Sequence, residues 1–318
     1  MTVRRARNAC GVIVLSLASV AAAGTDASLL QAVKSGSRDA VRALLTQPGA
    51  ANATEPDGTT VLHWAVQADD LETARLLIRA GANVKAMNRY GVTPLTVAAT
   101  NGSAAMLEAL LKAGASANTS LPEGETVLMT AARTGNADAL RVLLDHGAEV
   151  NAREGWLGEN ALMWAAAENH AAAVRILVEA GADPNVRSKP VSFPRAPRTF
   201  TVTTKLPRGG WTPLMFAARQ GALDAARALA DAGADLNLAD SDGTTSLVLA
   251  IMNAQYDVAG VLLDKGADPN VADQVGMAPL YAAVDMHTQQ WMFGRPAPKL
   301  TGKLSAADIA KALLAHGA

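Results

Sequence analysis

A turn glycine recurs along the chain at a nearly fixed interval, and this period constrains the fold more than any other feature. The intervals between these glycines are 33, 33, 34, 52, 33 and 33 residues. The glycines are Gly58, Gly91, Gly124, Gly158, Gly210, Gly243 and Gly276. A period of about 20–50 residues is typical of repeat arrays, in which each unit is stabilised mainly by its neighbours. The sequence therefore predicts a stack of short units.

The unit at 88–118 indicates what each period encodes. Tyr90 and Gly91 predict a tight turn, because glycine adopts positive φ at little steric cost. Thr93 followed by Pro94 predicts a helix start, since a hydroxyl caps the first turn and a proline there loses no needed N–H. Apolar residues at helical spacing predict one short helix before Gly102 and a second, longer helix after it. Neither helix buries its apolar side without a neighbouring copy.

These residues resemble the ankyrin repeat family. The family pattern G-x-T-P-L-H-x-A-A, followed by L-L-x-x-G-A-D-x-N, is matched by GVTPLTVAA at 91–99, GWTPLMFAA at 210–218 and RLLIRAGANV at 75–84. Only His63 matches the histidine of the pattern, and we expect it to bond a backbone group in its own turn. The resemblance covers about Thr25 to the C-terminus. It implies an all-α ankyrin-repeat solenoid of stacked helix-turn-helix units with β-turn fingers.

The repeat pattern divides the chain into segments. Arginines followed by an apolar run and a small-residue site predict a signal peptide, too short to span a bilayer. The predicted segments are a signal peptide at 1–23, a capping repeat at 24–54, repeats at 55–186, a basic proline-rich finger insertion at 187–208, repeats at 209–273, and a last repeat at 274–318 with an inter-helix insertion at 286–305. Because the chain stops inside the inter-unit motif, at LLAHGA, we expect further repeats or another domain beyond Ala318.

Export and charge limit the classes of partner. Cleavage after Ala23 removes three arginines and Cys10, which takes the net charge from −1 to −4 and leaves no thiol. An exported protein without disulfides fits a bacterial periplasm or the exterior. The near-neutral balance argues against affinity for nucleic acid or an anionic membrane surface. We expect a monomer that has no contact with the membrane after cleavage.

Catalytic and cofactor-binding motifs are absent from the sequence. It contains no G-x-S-x-G, no H-E-x-x-H, and no glycine-rich phosphate loop. The five histidines are scattered at unrelated positions of the repeat, whereas a metal site needs converging ligands. We therefore predict no catalytic residue, no cofactor and no metal site, and the protein is not expected to be an enzyme.

The resemblance places a protein-binding surface at the finger tips and the exposed ends of the first helices. Tyr90, Trp156 and Trp211 are predicted to form a stripe on the fingers, because aromatic residues supply much of the energy of protein interfaces. The alternative is that each packs against the adjacent finger. Trp64 and Trp164 are predicted to be core. The remaining candidate contact residues are Arg89, Arg133, Glu159, Arg219, Arg195, Arg198 and Trp291.

The insertion at 187–208 carries six basic residues and no acid. It is either a solvated linker or a clamp in which Arg195 and Arg198 bind the carboxylates of an acidic or extended partner. The favoured function is a non-catalytic scaffold that binds another protein through its concave finger and inner-helix surface. The alternatives are an accessory region of a larger enzyme or redox protein whose catalytic domain lies beyond Ala318, and a small-ligand enzyme between the insertions.

Overall fold

The computed structural model describes residues 28–190, 209–288 and 302–318. The chain forms two compact units, unit 1 (Met1–Pro122) and unit 2 (Glu123–Ala318). Within the described ranges all regular structure is helical, and β pairing is limited to isolated bridges such as Thr54 with Thr60. The all-α prediction is confirmed. No described helix is long and apolar enough to cross a lipid bilayer.

The described part of unit 1 contains three helix pairs. The helices are α1 (28–34), α2 (Arg38–Leu44), α3 (Val61–Gln67), α4 (Leu71–Arg79), α5 (Pro94–Asn101) and α6 (Ala104–Lys112), with a 3₁₀ turn at Ala50–Asn52. The first helices of the two later pairs, α3 and α5, pack on each other, and their second helices α4 and α6 do the same. The first pair exposes Gln31, Lys34, Arg38 and Arg42, as a capping repeat requires.

Unit 2 continues the same arrangement with five pairs among its described residues. The helices are α7 (Val127–Thr134), α8 (Ala137–Asp145), α9 (Ala161–Ala167), α10 (Ala171–Glu179), α11 (Pro213–Gln220), α12 (Leu223–Asp231), α13 (Ser246–Met252), α14 (Tyr256–Asp264), α15 (Pro279–Thr288) and α16 (Ala306–Ala315). The inner helices α7, α9, α11, α13 and α15 pack in sequence, and the outer helices α8 to α16 form a second layer.

Helix starts and turns follow the local chemistry of the sequence. Thr93 caps α5 by accepting the N–H of Thr96, with Pro94 at the first helical position, and Asn160 caps α9 in the same way. All seven turn glycines have positive φ, as the period predicted. At Gly91 a Cβ would lie 2.5 Å from Cδ of Pro122, so this finger excludes a side chain for steric as well as torsional reasons.

His63 joins one finger to the next. Its Nδ1 accepts the backbone N–H of Thr60, and its Nε2 donates to the carbonyl of Val92 at 3.0 Å. The predicted bond to a backbone group in its own turn is confirmed. Burial lowers the pKa of His63, which keeps the ring neutral so that one nitrogen accepts while the other donates.

An asparagine near the end of several outer loops also ties neighbouring repeats together. The side-chain oxygen of Asn237 accepts the backbone N–H of Asp268 at 2.8 Å, and Asn185 accepts that of Asp235 at 2.8 Å. Each bond satisfies a donor one repeat further along, where no helix supplies an acceptor. This geometry explains why the L-L-x-x-G-A-D-x-N segments end in asparagine.

Candidate functional site

The inner helices α7, α9, α11 and α13 share a pattern of buried and unburied positions. Counting from the N-cap, the helical residues N1, N2, N3, N5 and N6 of α7, α9, α11 and α13 are buried, whereas N7 and, except in α7, N4 are not. We call the N4 and N7 residues of these four helices the open face of unit 2. They are Thr130, Arg133, Trp164, Ala167, Phe216, Arg219, Leu249 and Met252. The side chain just before each N-cap, at N′, contacts or flanks this face.

In α7 the open face is polar and internally paired. Thr130 donates its hydroxyl hydrogen to Oε1 of Glu125 at 2.8 Å, and Arg133 lies 3.5 Å from the same oxygen. The Arg133 guanidinium also lies over the ring of Trp164, 5.1 Å from its centroid. Arg133 is therefore held between a carboxylate and an indole, a cation–π arrangement that fixes the plane of the charge.

In α9 the open face presents an indole. Trp164 is half-buried, and its Nε1–H donates to Oε2 of Glu159 at 2.9 Å. Burial raises the pKa of Glu159 and the nearby Glu154 carboxylate adds to this, while the Trp164 bond opposes it. The prediction that Trp64 and Trp164 are core is wrong: both occupy N4 and are partly exposed, with Lys34 over Trp64 at 4.2 Å.

Replacing Glu159 by glutamine is expected to raise the free energy of unfolding near neutral pH. Glutamine keeps an oxygen for the Trp164 N–H and has no charge to desolvate. The folded-state pKa of Glu159 is raised, so the penalty is present above that pKa and disappears as the pH falls below the usual 4.5. Urea unfolding of both proteins near pH 7 and near pH 4 tests this.

The exposed Glu123→Gln is the matched control for that measurement, since its side chain lies on a finger in water. A stabilisation by Glu159→Gln that is equal at both pH values would contradict the assignment of the raised pKa to burial.

In α11 the open face is built on a buried tryptophan. Trp211 is 5% exposed, meets Phe216 edge-to-face at 5.4 Å between centroids, and donates Nε1–H to Asp240 at 3.3 Å. Trp211 occupies N′ and Phe216 N4, the positions of a hydrophobic staple. The prediction that Trp211 belongs to an exposed aromatic stripe is therefore wrong. Its exposed neighbour is Arg219, whose guanidinium lies over the ring, 5.2 Å from the centroid.

The finger at 154–159 holds a large exposed aromatic side chain. Trp156 is 82% exposed. The carboxylate of the buried Glu154 accepts the backbone N–H groups of Trp156, Leu157 and Glu159 at 2.6, 2.7 and 2.8 Å. In the finger at 240–244, Asp240 accepts only two backbone N–H groups, and its loop is one residue shorter. The longer side chain of glutamate spans the extra residue, which gives Trp156 a fixed backbone.

Unit 1 carries its own exposed finger. Tyr90 is 58% exposed, and the guanidinium of Arg89 lies 4.8 Å from its ring centroid. The Asn88 side chain accepts the N–H groups of Tyr90 and Val92, both at 3.0 Å. Both candidate residues thus remain accessible on unit 1.

The described ends of the first insertion are tied to the fingers. Ser188 donates its N–H to the Trp211 carbonyl at 2.9 Å and accepts the Trp211 N–H on Oγ at 3.0 Å. Arg187 donates to the carbonyl of Gly210, and Lys189 donates to that of Gly155. Two of the six basic residues are therefore structural. Arg195, Arg198 and Trp291 lie outside the described residues.

The described part of the chain gives no support for a metal-binding site. There, no group of three His, Cys, Asp or Glu side chains is placed to hold a metal ion. Trp164 and Phe216 were not predicted from the sequence to be surface residues. The signal that could have found them is their place in the motif, the variable x of T-P-L-H-x-A-A.

The stacked helix pairs and β-turn fingers define a helical repeat protein. A family profile described as ankyrin repeats (3 copies) matches residues 29–120, 113–188 and 199–273, and one described as ankyrin repeats (many copies) matches 162–230. The chain belongs to the ankyrin repeat family. Members of this family are generally protein–protein interaction modules and typically non-enzymatic scaffolds.

A solved structure gives the same result. The chain is similar to the crystal structure of the ankyrin repeat domain of Bcl-3, described as a unique member of the IkappaB protein family. The two are 25% identical, with a TM-score of 0.58, and the match covers 71% of this chain and 94% of that one. A comparison with curated protein sequences found no match.

Proposed function

We propose that this chain is a non-catalytic scaffold that binds another protein through the open face of unit 2 and the finger that carries Trp156. The observation that carries the proposal is the exposure of Trp156, 82%, on a backbone held by three bonds to Glu154. Tryptophan is enriched among the residues that dominate interface energies, and an exposed indole on a fixed backbone offers a partner a large contact area.

The open face supports the same function. Trp164 and Phe216 occupy equivalent N4 positions on α9 and α11, which pack against each other. Neighbouring inner helices lie about 8–10 Å apart, so the two rings offer consecutive apolar contacts to one partner segment. Arg133 and Arg219 add fixed cations at the N7 positions of α7 and α11. A protein segment with apolar and polar side chains complements such a surface.

Trp156→Ala is expected to weaken partner binding at least about tenfold, or 1.4 kcal/mol, because it removes an interface anchor without touching the core. The partner is captured from extracts of the producing cells on immobilised protein and identified by mass spectrometry. Its affinity for the wild type and the variant is then measured by surface plasmon resonance.

Leu314→Ala serves as the control, since Leu314 is also an exposed apolar residue, 58%, but lies on the outer helix α16. Equal capture by the wild type and Trp156→Ala, with loss in Leu314→Ala, would refute the proposed surface.

The partner is proposed to be acidic or extended where it meets the first insertion. This rests on the sequence of 187–208 and on Arg195 and Arg198 in particular. The informative variant is the double change Arg195→Gln with Arg198→Gln. Deleting 189–205 would also remove Lys189, whose amide and ammonium both bond the neighbouring finger. Unchanged affinity in the double variant would reject the clamp.

We also propose that the protein acts outside the cytoplasm, in a periplasm or secreted, as a monomer. The support is the basic start, apolar run and small-residue site within residues 1–23. N-terminal sequencing of the protein from its producing cells is expected to read from Gly24. Retention of Met1 in a cytoplasmic fraction would contradict export.

A further inference from the structure

We propose that the open face of unit 2 selects partner segments in which a carboxylate lies next to an apolar side chain. Arg219 binds the carboxylate, and Phe216 with Leu249 accommodates the apolar group. This inference rests on the proposed function and deepens it, since it states the chemistry of the segment that the open face recognises.

Arg219 is the cation of the open face that has no carboxylate of its own. Its side chain is exposed, and in the part of the chain described here no Asp or Glu forms an ion pair with it. Arg133, at the equivalent N7 position of α7, differs because Glu125 lies 3.5 Å from its guanidinium. The nearby carboxylate of Asp240 is already occupied by the N–H groups of Asp242, Thr244 and Trp211.

The Arg219 guanidinium is oriented before any ligand arrives. It lies over the ring of Trp211, 5.2 Å from the centroid, and Trp211 is buried and held by Phe216 and Asp240. Stacking covers the face of the guanidinium and leaves its N–H edges available, and those edges match a carboxylate in bidentate geometry. A cation fixed in this way loses little side-chain entropy on binding.

An apolar floor adjoins this cation. Phe216 precedes Arg219 by three residues on α11, so the two side chains lie about 5–6 Å apart on one helix face. Leu249 occupies the N4 position of α13, which packs against α11, and both Phe216 and Leu249 are partly exposed. An extended chain advances about 3.3–3.6 Å per residue, so the carboxylate and the apolar side chain are one or two residues apart in the ligand.

Two of the acids near the open face are already paired on their own helices. Glu125 bonds Thr130 and Arg133, and Glu159 is half-buried against the Trp164 indole N–H. Both side chains therefore have partners on α7 and α9, one or two repeats away from Arg219. The segment between α11 and α13 offers one exposed positive charge beside apolar surface.

The test uses phage-displayed random 12-residue peptides panned against the purified full chain. Against the wild type we expect enrichment of Asp or Glu one or two residues from Phe, Leu, Ile or Trp. Against Arg219→Gln the acid is expected to lose its enrichment while the apolar residue is retained. Arg175→Gln is the matched control, because Arg175 is exposed on the outer helix α10.

A synthetic version of the most enriched peptide then gives affinities by fluorescence anisotropy. Changing its acid to the amide, or Arg219 to Gln, is expected to weaken binding at least tenfold, and the two changes together are expected to weaken it little further. Enriched peptides without an acid, or an acid whose effect persists in Arg219→Gln, would overturn the inference.

Phe216→Ala separates this inference from the proposed function. Loss of peptide binding in Phe216→Ala but not in Arg219→Gln leaves the open face as the site and overturns the carboxylate inference. Failure of both variants to alter binding, or failure to enrich any peptide, overturns both. Circular dichroism confirms that each variant is folded before it is compared.

Discussion

Leu143→Ala is expected to lower the free energy of unfolding by about 2–5 kcal/mol, the largest change we expect from a single substitution. Leu143 lies on α8 with 0% of its surface exposed, and α8 packs on both α7 and α10. The substitution removes apolar contacts and leaves a cavity where two repeats meet. In a repeat stack this weakens the interface on which each neighbour depends. Leu110 on α6 is equally buried and is expected to behave alike in unit 1.

Urea unfolding followed by circular dichroism measures this effect. Arg141→Ala on the same helix is the control, because Arg141 is exposed and forms an ion pair with Asp138 at 3.0 Å. Such an exposed pair contributes at most about 0.5 kcal/mol. An unchanged unfolding midpoint for Leu143→Ala would show that the side chain does not join the repeats.

Glu154→Ala is expected to cost about 2–4 kcal/mol and to loosen the finger around Trp156. The substitution leaves three backbone N–H groups without their acceptor, and each lost bond to a charged group is costly when the donors are shielded from water. Because the Glu154 carboxylate holds the N–H groups of Trp156, Leu157 and Glu159, binding through Trp156 is expected to weaken as well.

Glu154→Gln is the matched variant for this finger. Glutamine keeps one oxygen for the N–H groups of Leu157 and Glu159 but cannot accept from Trp156, so an intermediate loss of stability is expected. Hydrogen exchange at 154–159 reports the finger directly. Exchange as slow in Glu154→Ala as in the wild type would show that other contacts hold this backbone.

The architecture follows from the sequence because its signals are local. The capping of α5 by Thr93 and the proline at its first position depend only on adjacent residues, and the structure has both. The positive φ of Gly91 is set within one turn. These local signals recur in each repeat, so the order of helices could be predicted throughout the described ranges. The domain boundaries drawn from the sequence stay predictions.

The candidate site was less predictable because it depends on residues from separate turns. From the sequence, Trp211 is predicted to be exposed on a finger. In the structure Phe216, five positions later, packs against it edge-to-face. Trp164 reads as core because it sits among alanines, yet its N4 position turns it outward toward Glu159. The 34-residue interval from Gly124 to Gly158 reflects one extra residue in the finger at 154–159, but the interval alone does not show that Glu154 bridges it.

Site-specific photocrosslinking tests the central claim most directly. A benzoylphenylalanine placed at position 156 in producing cells is expected to crosslink to a distinct protein on irradiation, while the same residue at position 314, on α16, is not. The crosslink at 156 is expected to weaken when Phe216 is replaced by alanine. Crosslinking from position 314 and none from position 156 would contradict binding through this finger and the open face of unit 2.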